Sequence, residues 1–125
     1  MSRAYIINLG GEFLDSNHAI LQVLNYLRQT PEFSKLKTAR ENLSKNPHAS
    51  ALVSQFQKKQ ESLYSGTLSQ SQTTYLLDEL NKDYKKLNEN SDIKAYFMAS
   101  ERFSALLNQF IERLNTELAK EFTAI

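Results

Sequence analysis

Hydrophobic side chains recur every three or four residues along most of this chain, which is the spacing of one helix face. A polar cluster at positions 15–17 offers N-caps for a first predicted helix, whose apolar positions are Ile20, Val23, Leu24 and Leu27. A second helix is predicted to begin at Pro31, because Thr30 supplies a capping oxygen and proline is tolerated at the first helical position. This helix extends to about Lys45.

The same combination of cap and proline occurs at Asn46 and Pro47 and predicts a third helix that stops at Ser65 and Gly66. Ser69 is followed three residues later by Gln72, which is the pattern of a capping box. A fourth helix is therefore predicted there, with apolar positions at Tyr75, Leu76, Leu77, Leu80, Tyr84 and Leu87.

A fifth and much longer helix is predicted after the polar residues at 90–92, because no proline or glycine occurs from Ile93 to about Phe122. Such a helix has about 30 residues and a length of roughly 45 Å, more than the diameter of a compact domain of this size. Its apolar positions form a broad surface, made of Tyr96, Phe97, Ala99, Phe103, Leu106, Leu107, Phe110, Ile111, Leu114, Leu118 and Phe122.

This apolar surface is wider than a two-helix contact requires, so we expect a homodimer or higher oligomer to form through it. The residues predicted to form the interface are Phe97, Phe103, Leu107, Phe110 and Leu114. The alternative is a monomeric bundle in which the short helices cover the long one.

The segments 30–44 and 90–104 share a pattern at an offset of 60 residues. Both have an oxygen cap and an acid in the first turn, and the identical pairs are Ala39 and Ala99, Glu41 and Glu101, and Ser44 and Ser104. An internal repeat and two unrelated amphipathic helices with similar caps both explain this pattern.

Composition supports a helical reading, since the 125 residues include 18 leucines against eight valines and isoleucines, with three glycines and two prolines. The predicted fold is all-α, with about five helices, short helical hairpins and one long C-terminal helix in an oligomer-forming bundle. We expect a single helical domain over 16–125, preceded by an N-terminal extension over 1–15 that either packs on the bundle as a short element or is a disordered tail.

Composition also excludes several classes of protein. The absence of cysteine excludes disulfides, thiolate metal sites and a cysteine nucleophile. The net charge of +1 gives no overall attraction to nucleic acid or to an anionic membrane. No apolar run approaches the roughly 20 residues of a membrane span, and the start lacks a secretion signal pattern. A cytoplasmic protein without membrane contact is expected.

No enzyme signature emerges from the motifs. Gly10-Gly11-Glu12-Phe13 resembles the glycine-rich loop of diguanylate cyclases, but one acid is missing, alternating strands and helices do not follow, and we expect no strands on either side of it. His18 and His48 stand 30 residues apart without further ligands at metal-site spacing. Nucleophile elbows and phosphate-binding loops are also absent. We therefore predict a protein with no catalytic residues, metal or cofactor.

The segment from Arg28 to Lys59 has seven basic residues and two acidic ones, a local excess of about +5. Direct RNA binding through its basic side chains is the alternative function, with affinity that falls steeply as salt rises. The residues predicted for that role are Arg28, Lys35, Lys37, Arg40, Lys58 and Lys59.

Several short motifs keep a common order and spacing between about Leu27 and Phe122. They are Asn46-Pro47, Phe56, Lys58-Lys59-Gln60, Asp92-Ile93, Tyr96, Ala99, Glu101-Arg102-Phe103-Ser104 and Asn108. In this respect the chain resembles the YlbF/YmcA/YheA family of small helical bacterial proteins, and most of all its YheA-type branch.

This resemblance implies an all-helical, oligomer-forming cytoplasmic regulator, found mainly in Gram-positive bacteria. Relatives are linked to competence, biofilm formation and sporulation, and some act in a complex that modulates ribonuclease Y and messenger maturation. Family members of that complex carry cysteines and are associated with iron–sulfur clusters, so the cofactor does not transfer to this cysteine-free chain. We expect a non-catalytic adaptor whose partners are itself and, through the resemblance, family paralogues or ribonuclease Y.

Overall fold

A computed structural model describes residues 7–9, 12–14 and 16–123 of the chain. Five helices account for nearly all of this part, which confirms the all-α prediction and its long C-terminal helix. They are α1 (Ser16–Arg28), α2 (Pro31–Ser44), α3 (Pro47–Leu63), α4 (Gln70–Leu87) and α5 (Ser91–Thr123).

The helices begin where their capping residues predict. The Thr30 hydroxyl oxygen accepts a hydrogen bond from the backbone N–H of Phe33 at 3.2 Å, and the Asn46 side-chain oxygen accepts one from Ala49 at 3.1 Å. Each bond satisfies a first-turn donor that has no partner within the helix. The capping box predicted at Ser69 is also formed, with both of its reciprocal hydrogen bonds.

At the start of α5, one side chain caps two backbone N–H groups. The Asn90 side-chain oxygen accepts hydrogen bonds from the backbone N–H groups of both Asp92 and Ile93, each at 3.0 Å. After α3, Gly66 adopts a positive φ of 74°, a conformation that disfavours a Cβ atom and prevents the helix from continuing.

A short β-hairpin precedes the helices. Strands β1 (Ile7–Leu9) and β2 (Glu12–Leu14) pair in antiparallel register, with Ile7 opposite Leu14. The expectation that no strands flank positions 10 and 11 is therefore wrong, although the missing acid and the all-helical remainder still separate this segment from diguanylate cyclases. Residues 1–6, 10, 11 and 15, and with them part of the predicted N-terminal extension, lie outside the described residues.

The core forms where α2, α3 and α4 meet the first half of α5. Phe33, near the start of α2, packs against Phe103, whereas Asn42, near its end, shares a cavity with Ala95, so α2 runs antiparallel to α5. The helices α3 and α4 form a hairpin beside this pair. The buried cluster consists of Leu43, Ala49, Val53, Phe56, Leu80, Leu87, Ile93 and Phe97.

The second half of α5 extends past this core. Its 33 residues correspond to a length of about 50 Å. Phe110 stacks on Tyr26 of α1 with ring centroids 6.1 Å apart, and every residue from 111 to 122 is exposed. Within the described part of the chain, no helix combines the length and the apolar content that crossing a membrane would demand.

Loss of the Asn90 cap is expected to destabilise the fold, because two backbone N–H groups at the start of the longest helix lose their acceptor. Asn90→Ala should lower the free energy of unfolding by about 1 kcal/mol, and Asn90→Asp should retain most of it. Urea denaturation followed by circular dichroism measures both. Equal stability of Asn90→Ala and the wild type would show that the cap contributes nothing.

Candidate interaction surfaces

The five predicted interface residues lie along α5 at increasing exposure to solvent. Phe97 is only 8% exposed, and its ring lies 5.6 Å from that of Phe56 and 5.2 Å from that of Tyr84. It therefore stabilises the core of a single chain. An interface with another molecule cannot use it without opening that core.

The next three residues are half-buried, and two of them contact the chain's own short helices. Phe103 is half-buried and meets Phe33 edge to face at 5.9 Å, and half-buried Phe110 stacks on Tyr26. Leu107 is half-buried as well. These residues form the border between the core and the exposed end of α5.

Leu114 is the one predicted interface residue that is half exposed, at 50%. It belongs to a row on α5 that also contains Ile111 at 48%, Leu118 at 48% and Phe122 at 70% exposure. Their spacing of three and four residues places them on one helix face. We call these four residues the α5 row.

Helix α1 adds a second set of exposed apolar side chains. Ile20, Leu21 and Leu24 are all exposed, at one to four residues from each other. This set lies just before Tyr26 in the sequence, and the α5 row lies just after Phe110. The Tyr26–Phe110 contact therefore connects the two helix segments that carry exposed apolar side chains. A single copy leaves both sets open to water.

The basic residues predicted for RNA binding do not share one face. Lys35 lines the cavity between α2 and α5, and Lys37, two residues later, projects about 200° away around the helix. Arg40 and Lys58 are exposed on two different helices. The excess of charge in the sequence is therefore spread around the bundle.

Lys59 is engaged within the fold. Its ammonium group lies 2.5 Å from a carboxylate oxygen of Glu79 and 2.8 Å from one of Asp83, both on α4. Both hydrogen bonds raise the pKa of Lys59 above its ordinary value, and the bond to Asp83 contributes more than the bond to Glu79. Because two carboxylates neutralise it, Lys59 links α3 to α4 and contributes little to the attraction of phosphates.

A cleft of about 490 Å³ lies between α3 and α5. Its base is aromatic: Phe56, Tyr84 and Phe97 contact one another, and the Tyr84 and Phe97 rings stack at 5.2 Å with an angle of 18°. Its rim is polar, and the lining includes Gln57, Gln60, Tyr96, Ser100, Glu101, Ser104 and Asn108. We call it the aromatic cleft.

Two hydrogen bonds order the side chains of this cleft. The Tyr84 hydroxyl donates to Glu101 Oε1 at 2.7 Å, and Gln57 Nε2 donates to the Tyr96 hydroxyl oxygen at 3.3 Å. The hydrogen bond to the Glu101 carboxylate is the main cause of a raised pKa of Tyr84, and partial burial of the hydroxyl raises this pKa further. Sequence reasoning missed this cleft, because its members come from three helices whose packing no local pattern reveals.

A second cavity, of about 850 Å³, lies between α2 and α5. Small side chains from both helices line it, including Ala39, Ala95, Ala99 and Ala105, with Glu32, Lys35 and Arg102 among its charged residues. Ala39 and Ala99, matched at the offset of 60 residues, are equally buried here. The two matched segments thus pack against each other around this cavity.

The two histidines lie in first turns of different helices, His18 in α1 and His48 in α3. Over residues 7–9, 12–14 and 16–123, no group of three histidine, aspartate or glutamate side chains is arranged to hold a metal ion.

The raised pKa of Tyr84 predicts a pH dependence. A folded-state pKa above the unfolded value of about 10 stabilises the fold below that pH, and this contribution is lost as the pH rises through the folded pKa. The stability difference between wild type and Tyr84→Phe should therefore shrink above about pH 10. Urea denaturation at several pH values measures it, with exposed Tyr75→Phe as the control that should follow the wild type. A constant difference would contradict the Tyr84–Glu101 bond.

Comparison with known proteins identifies relatives. Residues 19–119 match the family model described as control of competence regulator ComK, YlbF/YmcA. UPF0342 protein STH1710 of Symbiobacterium thermophilum is 28% identical over 95 residues, which cover 75% of this chain and 82% of that protein. No solved structure matches the chain.

The family match covers α2, α3 and α4 in full and most of α1 and α5, and it confirms the resemblance found in the sequence motifs. Assignment to the YheA-type branch stays a prediction. The chain belongs to the YlbF/YmcA family, whose description is control of the competence regulator ComK.

Proposed function

We propose that this chain is a non-catalytic regulatory adaptor that self-associates through the exposed end of α5. The family's link to control of a competence regulator supports a regulatory role. The single observation that carries the self-association is the α5 row, defined above as Ile111, Leu114, Leu118 and Phe122.

Exposure of the α5 row is unfavourable for an isolated chain. Water-exposed apolar side chains lose the free energy that burial would contribute, and a continuous apolar strip on a helix marks a contact surface. The strip is also narrow and nearly heptad in spacing, as in helices that pair lengthwise. A second helix of the same kind covers such a strip along its full length.

We propose an antiparallel orientation for the second copy. In this pair Leu114 lies opposite Leu118 of the second copy, and the symmetry axis passes near position 116. Each exposed leucine then covers the other, which removes apolar surface of both copies from water.

A role without catalysis is supported by the nature of the surfaces. The aromatic cleft and the α2–α5 cavity are open grooves between helices. The family description concerns regulation and not a reaction. The scattered placement of the basic residues gives direct RNA binding no comparable support.

The double variant Leu114→Glu and Leu118→Glu is expected to halve the mass measured by light scattering, if the assembly is a dimer. It introduces four carboxylates into a symmetric contact and leaves the core intact, because both leucines are exposed. Leu77→Glu on α4 is the matched control, since Leu77 is 48% exposed and lies outside the α5 row. It should keep the wild-type mass.

An unchanged mass for the double variant, with helical content preserved, would remove the α5 row from the interface. A wild-type mass of one chain at every concentration would contradict self-association altogether. A monomeric Leu77→Glu protein would place the contact on α4.

The partner of the adaptor is proposed from the family alone: a paralogue or ribonuclease Y. Crosslinked capture of the tagged protein from its native cell, followed by mass spectrometry with and without nuclease, tests this. We expect recovery that resists nuclease, and loss of recovery after nuclease would point to RNA as the link. Recovery of neither protein would show that the family's RNA-processing role does not extend to this chain.

A further inference from the structure

We infer that the aromatic cleft between α3 and α5 binds an arginine side chain presented by a protein partner. This inference names the chemistry of the partner and rests on the adaptor function only for its biological use. The cleft is a different surface from the α5 row, so the two proposals succeed or fail separately.

The charge of the cleft selects a cation. Glu101 is the single charged residue among the side chains that line it, and the other polar groups are neutral amides and hydroxyls. No lysine or arginine in the described residues lies within 4.0 Å of the Glu101 carboxylate. A cationic side chain from outside is therefore the complement that this surface lacks.

The Glu101 carboxylate is held in place for such a contact. Its Oε1 accepts the Tyr84 hydroxyl at 2.7 Å, which restricts rotation of the carboxylate. No hydrogen bond within the described residues occupies Oε2. A positioned carboxylate with an open oxygen loses less side-chain entropy on binding than a mobile one.

The neighbouring rings favour arginine over lysine. Phe97 is buried, whereas Tyr84 and Tyr96, whose rings lie 5.2 Å and 6.2 Å from that of Phe97, remain partly exposed and can be reached by a ligand. A planar guanidinium stacks on aromatic faces and has five N–H donors in a fixed arrangement, whereas an ammonium group is compact and strongly hydrated. Ser100, Ser104 and Asn108 line the same cleft, and their side chains carry oxygen atoms of the kind that accept the remaining donors.

The α2–α5 cavity does not have this selectivity, although it is larger. Lys35 and Arg102 outnumber Glu32 among its charged lining residues, and small alanines replace the aromatic base. An arginine side chain gains neither charge complementarity nor stacking there. Binding at the aromatic cleft should therefore be local.

The test is a nuclear magnetic resonance titration of the full-length, isotope-labelled protein with N-acetyl-arginine amide. The neutral analogue N-acetyl-citrulline amide has nearly the same shape and is the ligand control. With the arginine probe, we expect the chemical shifts of the backbone amides of Tyr84, Tyr96 and residues 100–104 to change and to saturate, with a dissociation constant of roughly millimolar. Citrulline should give shifts at least fivefold smaller.

Two variants locate the effect. Glu101→Gln should abolish saturation, and Glu41→Gln, which removes an exposed carboxylate from α2 away from the cleft, should leave it unchanged. Equal shifts with arginine and citrulline, shifts spread over exposed carboxylates elsewhere, or full binding by Glu101→Gln would each overturn the proposal. The amide spectrum of Glu101→Gln shows whether that variant is folded.

A third variant, Tyr84→Phe, loses the hydroxyl that holds the Glu101 carboxylate in place. It should also bind the arginine probe more weakly.

The same samples separate this proposal from the adaptor function. Light scattering of Glu101→Gln should give the wild-type mass, because Glu101 is not in the α5 row. Arginine binding by a protein that remains a monomer would uphold the cleft and defeat self-association. Self-association without arginine binding would defeat the cleft alone.

Discussion

The structure depends on one long helix whose apolar side chains continue beyond the helices that cover them. The first half of α5 places Ile93 and Phe97 in the core, where the short helices exclude water from them. The second half continues the same periodicity, but beyond the Tyr26–Phe110 contact its side chains from 111 to 122 are exposed in the described part of the chain. Since burial of apolar surface is the main favourable contribution to folding and association, this excess of apolar surface constrains what the protein does.

The two halves of α5 thus have different roles that follow from one pattern. The core half begins at the Asn90 cap and packs against α2 and against the α3–α4 hairpin, across which Lys59 pairs with Glu79 and Asp83. The exposed half is free to meet a second copy. The aromatic cleft shares no residue with the α5 row, so the two proposed contacts are tested by different variants.

Capping residues made the helices predictable, because Thr30, Asn46, Ser69 and Asn90 act within a few residues of their own position. The placement of Phe97 was not predictable in the same way. Its spacing fits an interface and a core equally well, and only the positions of Phe56 and Tyr84 on other helices decide between them. The aromatic cleft was missed for the same reason, as was the pairing of Lys59 with α4. The two strands were not predicted from the sequence, because segments of three residues are too short to show an alternating hydrophobic pattern.

The central claim is that a second copy covers the α5 row, and an isotope-filtered experiment on mixed chains tests it most directly. Isotope-labelled chains are mixed with unlabelled chains, and the methyl groups of Leu114 and Leu118 are observed. The filter selects nuclear Overhauser effects between a labelled and an unlabelled chain, so every contact that is recorded joins two copies. The account predicts contacts from Leu114 methyls to Leu118 of the other copy, as antiparallel pairing requires. Absence of contacts between copies at these methyls, in a sample whose mass exceeds one chain, would contradict it.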